Sequence, residues 1–233
     1  MRYWLILLLG AAGLAPSSLL AAELLVIRSD VAELKAGAVI QSTNAVKLPA
    51  GSRVMLVAAD GRTIRLAGPF AGPPEPGAES APSSDRRLLE SLRKLFAPAD
   101  DERMAIGASR GPASDVWRIE VLHEGIYCVP ENQAPVLSRA TAADDALVEV
   151  EQPNGGPRTS VRFPPGQRIV PWPQELPVVD QARYRLRSAR DSESSAIVLR
   201  LVPAALASDV HRAAWMADNG CTEQARRLME RMQ

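Results

Sequence analysis

SRVMLVAADGRTIRL, residues 52–66, is the clearest indication of the fold in the sequence. Two runs rich in apolar and β-branched residues flank Asp60-Gly61, a dipeptide typical of two-residue hairpin turns. Polar and apolar residues alternate over residues 63–66, which predicts a strand with one buried face. Together with the shorter apolar runs before it, this pattern predicts a small antiparallel β module over residues 23–70.

Residues 71–114 are predicted to be a linker that contains one amphipathic helix. Pro, Gly, Ala, Ser and Glu make up almost all of residues 71–84, a composition typical of a flexible segment. Apolar residues then follow at helical spacing, with charged residues between them. These apolar residues are Leu88, Leu89, Leu92, Leu95 and Phe96. We expect the apolar side of this helix to dock on the protein's own core; a partner-binding surface is the alternative.

Strand-like segments recur about every ten residues over residues 115–202, between Pro and Gly turns. This spacing predicts an Ig-like β-sandwich. The chain lacks the alternation of strands with long helices that a parallel sheet needs. Residues 203–233 are helical in pattern, with Asn219-Gly220 as a break between two helices. The predicted class is therefore mainly β: a small antiparallel module plus an Ig-like sandwich, one linker helix and a C-terminal helix pair.

Residues 1–22 have the order of a secretory signal peptide. A positive start at Arg2 is followed by an apolar run, and small residues precede Glu23. Cleavage would place the mature chain in the periplasm. The alternative is an uncleaved inner-membrane anchor, because residues 3–22 carry no charge and about 20 apolar residues can span a bilayer. The Pro-Ser-Ser break at residues 16–18 favours cleavage.

The charges of the chain are balanced, with 27 basic and 27 acidic side chains. This balance gives no electrostatic case for nucleic acid or for an anionic membrane surface as a partner. Membrane association is expected only if residues 1–22 are retained.

Cys128 and Cys221 are the only cysteines. In an exported protein, two thiols most simply form one disulfide bond. This bond would connect the sandwich to the C-terminal helices. Loop-closure entropy gives it a contribution of about 4–5 kcal/mol as an upper figure.

His123, Cys128, His211 and Cys221 are all the His and Cys of the chain, and together they are a candidate metal site. Two imidazoles and two thiolates can build a tetrahedral zinc site. Their spacings match no zinc-knuckle motif, and a disulfide would consume both thiolates. We therefore expect neither a metal nor another cofactor.

A serine-nucleophile motif, G-x-S-x-G, occurs at residues 107–111 around Ser109, with Asp180 and His211 downstream. A nucleophile elbow requires a sharp turn from a strand into a helix above a parallel sheet. Here Pro112 and a further strand follow the motif. The sequence thus favours a Gly-rich loop, and no catalytic residue is assigned.

Three arginines, Arg183, Arg185 and Arg187, alternate along one predicted strand and therefore share one face. They form either an anion-binding stripe or a solvated outer face of the sandwich, neutralised by Asp191 and Glu193. The second of these interpretations is favoured.

Trp172 lies between two prolines. It is a candidate stacking platform for sugars or peptides. The favoured alternative is a tryptophan at the edge of the core, with its N–H group bonded to a carbonyl oxygen.

Several segments together resemble the FecR-like domain proteins of proteobacterial cell envelopes. The resemblance rests on the segments at residues 27–30, 48–51 (LPAG), 58–63 (AADGRT) and 66–70 (LAGPF). A weaker likeness extends through residues 125–130, 172–173 and 215–228. It implies an exported β protein and supplies no catalytic residue. No cytoplasmic anti-sigma region precedes the apolar segment, so sigma-factor regulation is not implied.

The sequence therefore predicts a non-catalytic binding or scaffold protein of the periplasm, which acts through contacts with another envelope or inner-membrane protein. The alternative is an anchored sensory or regulatory subunit that keeps residues 1–22. A serine hydrolase using Ser109 and a carbohydrate-binding module using Trp172 are less favoured.

Overall fold

The structure is a computed structural model that describes residues 21–75, 83–96, 116–190 and 194–232. Within these residues the chain is mainly β, with several antiparallel sheets and three helices. The predicted fold class is confirmed, including the helix pair at the C-terminus. Most of the proposed signal segment lies outside the described residues. Among the described helices, none has the length and hydropathy needed to span a membrane.

The N-terminal module contains two sheets. Its strands are β1 (Glu23–Ser29), β2 (Val39–Gln41), β3 (Val46–Leu48), β4 (Arg53–Ala58), β5 (Thr63–Ala67) and β6 (Phe70–Gly72). Four of them form an antiparallel sheet in the order β2-β1-β4-β5, and β3 pairs with β6. The predicted hairpin is β4–β5, and Gly61 in its turn has a φ of +82°, a conformation that favours glycine.

Both faces of this four-stranded sheet are covered. In β1, four successive apolar residues from Leu24 to Ile27 are all buried, which is unusual for an antiparallel strand with one solvated face. Leu24 and Val26 pack with β3 and the rest of one core cluster. Leu25 and Ile27, on the opposite face, belong to a second cluster to which the helices contribute.

Three helices supply that second cluster. They are α1 (Ser83–Arg93), which continues into a 3₁₀ turn at Lys94–Phe96, α2 (Asp209–Asp218) and α3 (Thr222–Arg231). Leu89, Leu92 and Leu95 are buried in it, so the apolar side of α1 docks on the protein's own core. The same cluster includes Cys128 and Val202 of the C-terminal module. We call it the shared core, because both β modules and all three helices contribute to it.

The C-terminal module is a two-sheet sandwich. Its strands are β7 (Arg118–Glu120), β8 (Gly125–Pro130), β9 (Val136–Ser138), β10 (Ala146–Glu151), β11 (Arg158–Phe163), β12 (Ile169–Pro171), β13 (Arg183–Ser188) and β14 (Ser194–Val202). A sheet in the order β11-β10-β13-β14-β8 faces one in the order β12-β9-β7 across a separate core. The Tyr184 hydroxyl donates to the Pro177 carbonyl, a contact similar to the tyrosine corner of Ig-like sandwiches.

Two strand pairs in the sandwich are parallel, which the strand spacing did not predict. β8 pairs with β14, and β7 pairs with β9. Parallel neighbours need a long crossover connection, and helices usually provide it. Strands β9 to β13 form the crossover connection between β8 and β14, so no helix is required.

Candidate functional site

The disulfide bond joins the sandwich to the C-terminal helices, as predicted. Cys128 lies in β8 and Cys221 is the N-cap residue of α3, with Cα atoms 5.9 Å apart and a sequence separation of 93. Both cysteines are buried in the shared core.

Gln224, in the first turn of α3, makes a second connection at the same place. Its side chain is buried, and its amide oxygen accepts from the backbone N–H of Cys128 at 2.7 Å. Its amide nitrogen donates to the carbonyl oxygens of Val116 (2.7 Å) and Cys128 (2.9 Å). The glutamine thus occupies the place of a neighbouring strand at the edge strand β8. Sequence analysis missed this role, because only the fold brings Gln224 to β8.

The structure removes the thiolates from the candidate metal site, because Cys128 and Cys221 are bonded to each other. The His123 ring lies 3.9 Å from the Glu120 carboxylate. The His211 Nδ1 lies 2.8 Å from the hydroxyl of Ser208, the residue that caps α2. Each ring therefore has its own local partner.

The serine motif around Ser109 lies outside the described residues. Asp180, the acid proposed for it, accepts from the Leu201 amide (2.9 Å) and from the Arg200 guanidinium (3.1 Å). Burial opposes ionisation of Asp180, but these hydrogen bonds outweigh it and hold the pKa below its ordinary value. Asp180 is thus hydrogen-bonded to two residues of β14, and His211 is hydrogen-bonded to Ser208.

Arg183, Arg185 and Arg187 lie on the exposed side of β13, as their alternation predicted. Their neighbours are the carboxylates of β10: Arg185 lies 3.0 Å from Glu151, and Arg187 lies 3.9 Å from Glu149. The predicted neutralising residues, Asp191 and Glu193, lie outside the described residues. This surface, together with Arg158 of β11, is called the charged face below.

Trp172 is 5% exposed and packs edge-on against Tyr184, with ring centroids 5.0 Å apart. Its N–H group donates to the Leu176 carbonyl at 3.1 Å. No ring face is free to stack on a sugar, so the core interpretation describes its place. Trp172 is therefore not placed to act as a stacking platform for a carbohydrate.

An open apolar groove of about 1010 Å³ lies on the N-terminal module. Sequence analysis did not predict it, because its lining comes from separate segments. Its apolar lining comes from Val31, Leu34, Ile40, Val46, Leu48 and Phe70. Two charged side chains, Glu33 and Lys47, also line it. Within the described part of the chain neither has an ion-pair partner.

Close backbone contact fixes one wall of this groove. A Cβ atom on Gly68 would lie 1.7 Å from the Pro49 carbonyl oxygen, so only glycine fits there. The LPAG turn at residues 48–51 and the segment at residues 66–70 are therefore held together. Leu48, Pro49, Pro69 and Phe70 of these two segments line the groove, and the close contact with Pro49 is the physical reason for the glycine at position 68.

The fold and these sites define a mainly β, disulfide-linked protein with an apolar groove on its N-terminal module. No protein-family model matches the chain, and no curated protein matches it.

Proposed function

We propose that the chain is a non-catalytic binding or scaffold protein of the periplasm. It acts through protein–protein contacts on another envelope or inner-membrane protein. Its membership of the FecR-like group is part of this proposal and rests on the motifs at residues 27–30, 48–51, 58–63 and 66–70.

The observation that carries the proposal is the open groove of the N-terminal module. Partly exposed apolar side chains at a concave surface favour binding, because covering them removes apolar area from water; here these are Val31, Leu34, Ile40 and Phe70, whereas Val46 and Leu48 are buried in the module's own core. The groove combines such side chains with Glu33 and Lys47, which lack ion-pair partners among the described residues. A protein partner supplies both apolar contact and opposite charges.

The periplasmic location has two supports. The N-terminal residues have the order of a secretory signal, and the Cys128–Cys221 bond is of the kind that persists in oxidising compartments. The anchored sensory subunit remains the alternative, because residues 3–22 carry no charge.

Ala22 refines the expected start of the mature chain. It is buried, and its backbone exchanges hydrogen bonds with Ser42: the Ala22 N–H donates to Ser42 Oγ, and the Ser42 N–H donates to the Ala22 carbonyl. A cut after Ala22 would remove these contacts. We therefore expect the mature chain to start at or before Ala22. The intact mass of the periplasmic protein tests this, whereas a full-length mass confined to membranes would favour the anchored subunit.

Chemical cross-linking in intact cells, followed by purification of the chain, tests the binding function. Leu34→Asp places a charge in the groove, and Val179→Asp places the same charge at an exposed position of the C-terminal module. We expect a discrete envelope protein to be captured by the wild type and by Val179→Asp, and lost with Leu34→Asp. Equal capture by both variants would contradict the proposal; circular dichroism checks that both fold.

A further inference from the structure

We propose that Asn154 is a site of spontaneous deamidation, at which the folded protein acquires aspartate and isoaspartate without the help of an enzyme. This inference does not depend on the proposed binding function. It rests on a comparison of the three places in the chain where asparagine or aspartate precedes glycine: Asp60-Gly61, Asn154-Gly155 and Asn219-Gly220.

The reaction requires an asparagine side chain and an accessible amide nitrogen on the next residue. The Gly155 nitrogen gives its proton to solvent base and attacks the carbonyl carbon of the Asn154 side chain; a C–N bond forms, and the bond to the side-chain nitrogen breaks to release ammonia. Water then opens the succinimide ring at one of its two carbonyl groups, which leaves aspartate or isoaspartate. No electron is gained or lost overall, so water is the only co-reactant. Glycine favours the attack because it has no Cβ atom to shield its nitrogen.

The hairpin between β10 and β11 explains why this pair of residues lies here. The Gln152 N–H donates to the Pro157 carbonyl at 2.9 Å and closes the loop between the two strands. Within this loop, Asn154 has a φ of +64° and Gly155 a φ of +78°. Glycine adopts positive φ readily, and asparagine tolerates it better than most residues do. The turn therefore selects the same two residues that the reaction requires.

The described part of the chain leaves this site unrestrained. Asn154 and Gly155 are both exposed. Among the described residues, neither the Asn154 side chain nor the Gly155 N–H has a hydrogen-bond partner. A Cβ atom added to Gly155 would meet no atom within 4 Å, so the surroundings leave room for the side chain to rotate towards the nitrogen.

The second Asn-Gly pair is held at both reacting groups. The Asn219 side-chain nitrogen donates to the Trp215 carbonyl at 2.7 Å, and the Gly220 N–H donates to the Ala217 carbonyl at 3.4 Å. Both residues lie at the end of α2, directly before the disulfide-bonded Cys221. Deamidation there would require the end of the helix to open first, so it should be slow.

The Asp-Gly pair is held as well. The Gly61 N–H donates to the Ala58 carbonyl at 2.9 Å, and the Asp60 carboxylate accepts from the Arg62 N–H at 2.9 Å. Burial opposes ionisation of Asp60, but the hydrogen bonds from Arg62 outweigh it and hold the pKa of this carboxyl below its ordinary value. An ionised carboxylate is a poor target for a nucleophilic nitrogen. Asn154 is therefore the reactive site of the three.

Peptide mapping by mass spectrometry tests this ranking on the folded mature chain, aged in mildly alkaline buffer. We expect aspartate and isoaspartate to accumulate at position 154 at least about tenfold faster than at position 219, because two hydrogen bonds must open at the second site. When the disulfide is reduced and the chain is unfolded in guanidinium, the two rates should agree within about twofold, since glycine follows both asparagines. Equal rates in the folded chain, or a faster reaction at position 219, would overturn the proposal.

Two matched variants identify the site independently. Asn154→Gly keeps a residue that tolerates positive φ in the turn and removes the reactive amide, and Asn219→Gly does the same at the second pair. Each deamidation adds one negative charge, which isoelectric focusing detects. The wild type and Asn219→Gly should both acquire an acidic form on ageing, and Asn154→Gly should not. An acidic form that persists in Asn154→Gly, or that disappears in Asn219→Gly, would contradict the assignment.

Discussion

The two β modules bury their apolar faces by different means. The sandwich closes a core from its own two sheets, and Phe163, Tyr184 and Leu186 are fully buried within it. The four-stranded sheet of the N-terminal module has two apolar faces and depends on other segments to cover both. One of these faces is buried in the shared core, which is built largely from helices near the C-terminus. The small N-terminal module is thus completed by residues more than a hundred positions away.

The surfaces of the two modules differ as well. On the charged face of the sandwich, arginines meet carboxylates of neighbouring strands, as in the pair Arg185–Glu151. The groove of the N-terminal module has apolar walls and the two charges of Glu33 and Lys47. The sandwich face has the paired charges of a solvated surface, whereas the proposed function assigns partner binding to the groove.

Loss of the disulfide bond should have the largest effect on stability. We expect Cys128→Ala combined with Cys221→Ala to lower the free energy of unfolding by about 3–5 kcal/mol, because the bond closes a long loop and both residues are buried in the shared core. Urea denaturation measures this loss. Hydrogen exchange should show β1 losing protection before β10, and simultaneous loss would contradict the dependence of the N-terminal sheet on its helical cover.

Matched leucine truncations compare the two cores directly. Leu92 of α1 and Leu186 of β13 are both 0% exposed, the first in the shared core and the second in the sandwich core. Each change to alanine should cost about 3 kcal/mol. Leu92→Ala should raise exchange mainly in β1 and β4, and Leu186→Ala mainly in the sandwich strands. The same exchange pattern for both variants would show that the cores are not separate.

Gln224→Leu should cost about 2 kcal/mol, because it leaves the backbone N–H of Cys128 and two carbonyl oxygens without their partner. Amide exchange of Cys128 is the direct readout and should accelerate. Arg227→Leu, on the same helix and half-exposed, is the control and should leave that amide protected. An unchanged Cys128 amide in Gln224→Leu would remove the proposed edge-covering role.

The charged face should show the smallest effect. Arg185→Gln removes an exposed pair with Glu151 and should change stability by less than about 1 kcal/mol. Arg183→Gln is the matched control, because Arg183 has no ion-pair partner among the described residues. If Arg185→Gln cost several kcal/mol more than Arg183→Gln by thermal denaturation, the face would be structural rather than solvated.

The features that the sequence predicted depend on local patterns. Asp60-Gly61 between two apolar runs predicted the β4–β5 hairpin, and the spacing of Leu89 and Leu92 predicted α1. The disulfide was predicted from the count of cysteines together with the expectation of export. Each of these signals comes from a short window of sequence or from composition. At that scale, the conformational preferences of single residues are strong.

The features that the sequence did not predict are non-local. The parallel pairing of β8 with β14 depends on the path of the whole sandwich, and Gln224 gains its role only when α3 reaches β8. The groove joins residues 31–34 to residues 44–49 and to Phe70 through the packing of two sheets. No periodicity or motif along the chain predicts these contacts between distant segments.

Site-specific photo-cross-linking in living cells tests whether the groove, and not the charged face, binds the partner. A photoreactive amino acid is placed at Ala71, an exposed residue of the groove, or at Arg187 on the charged face. We predict a discrete cross-linked envelope protein from position 71, lost when Leu34→Asp is added, and none from position 187. A cross-link from position 187 alone, or one from position 71 that survives Leu34→Asp, would contradict the account.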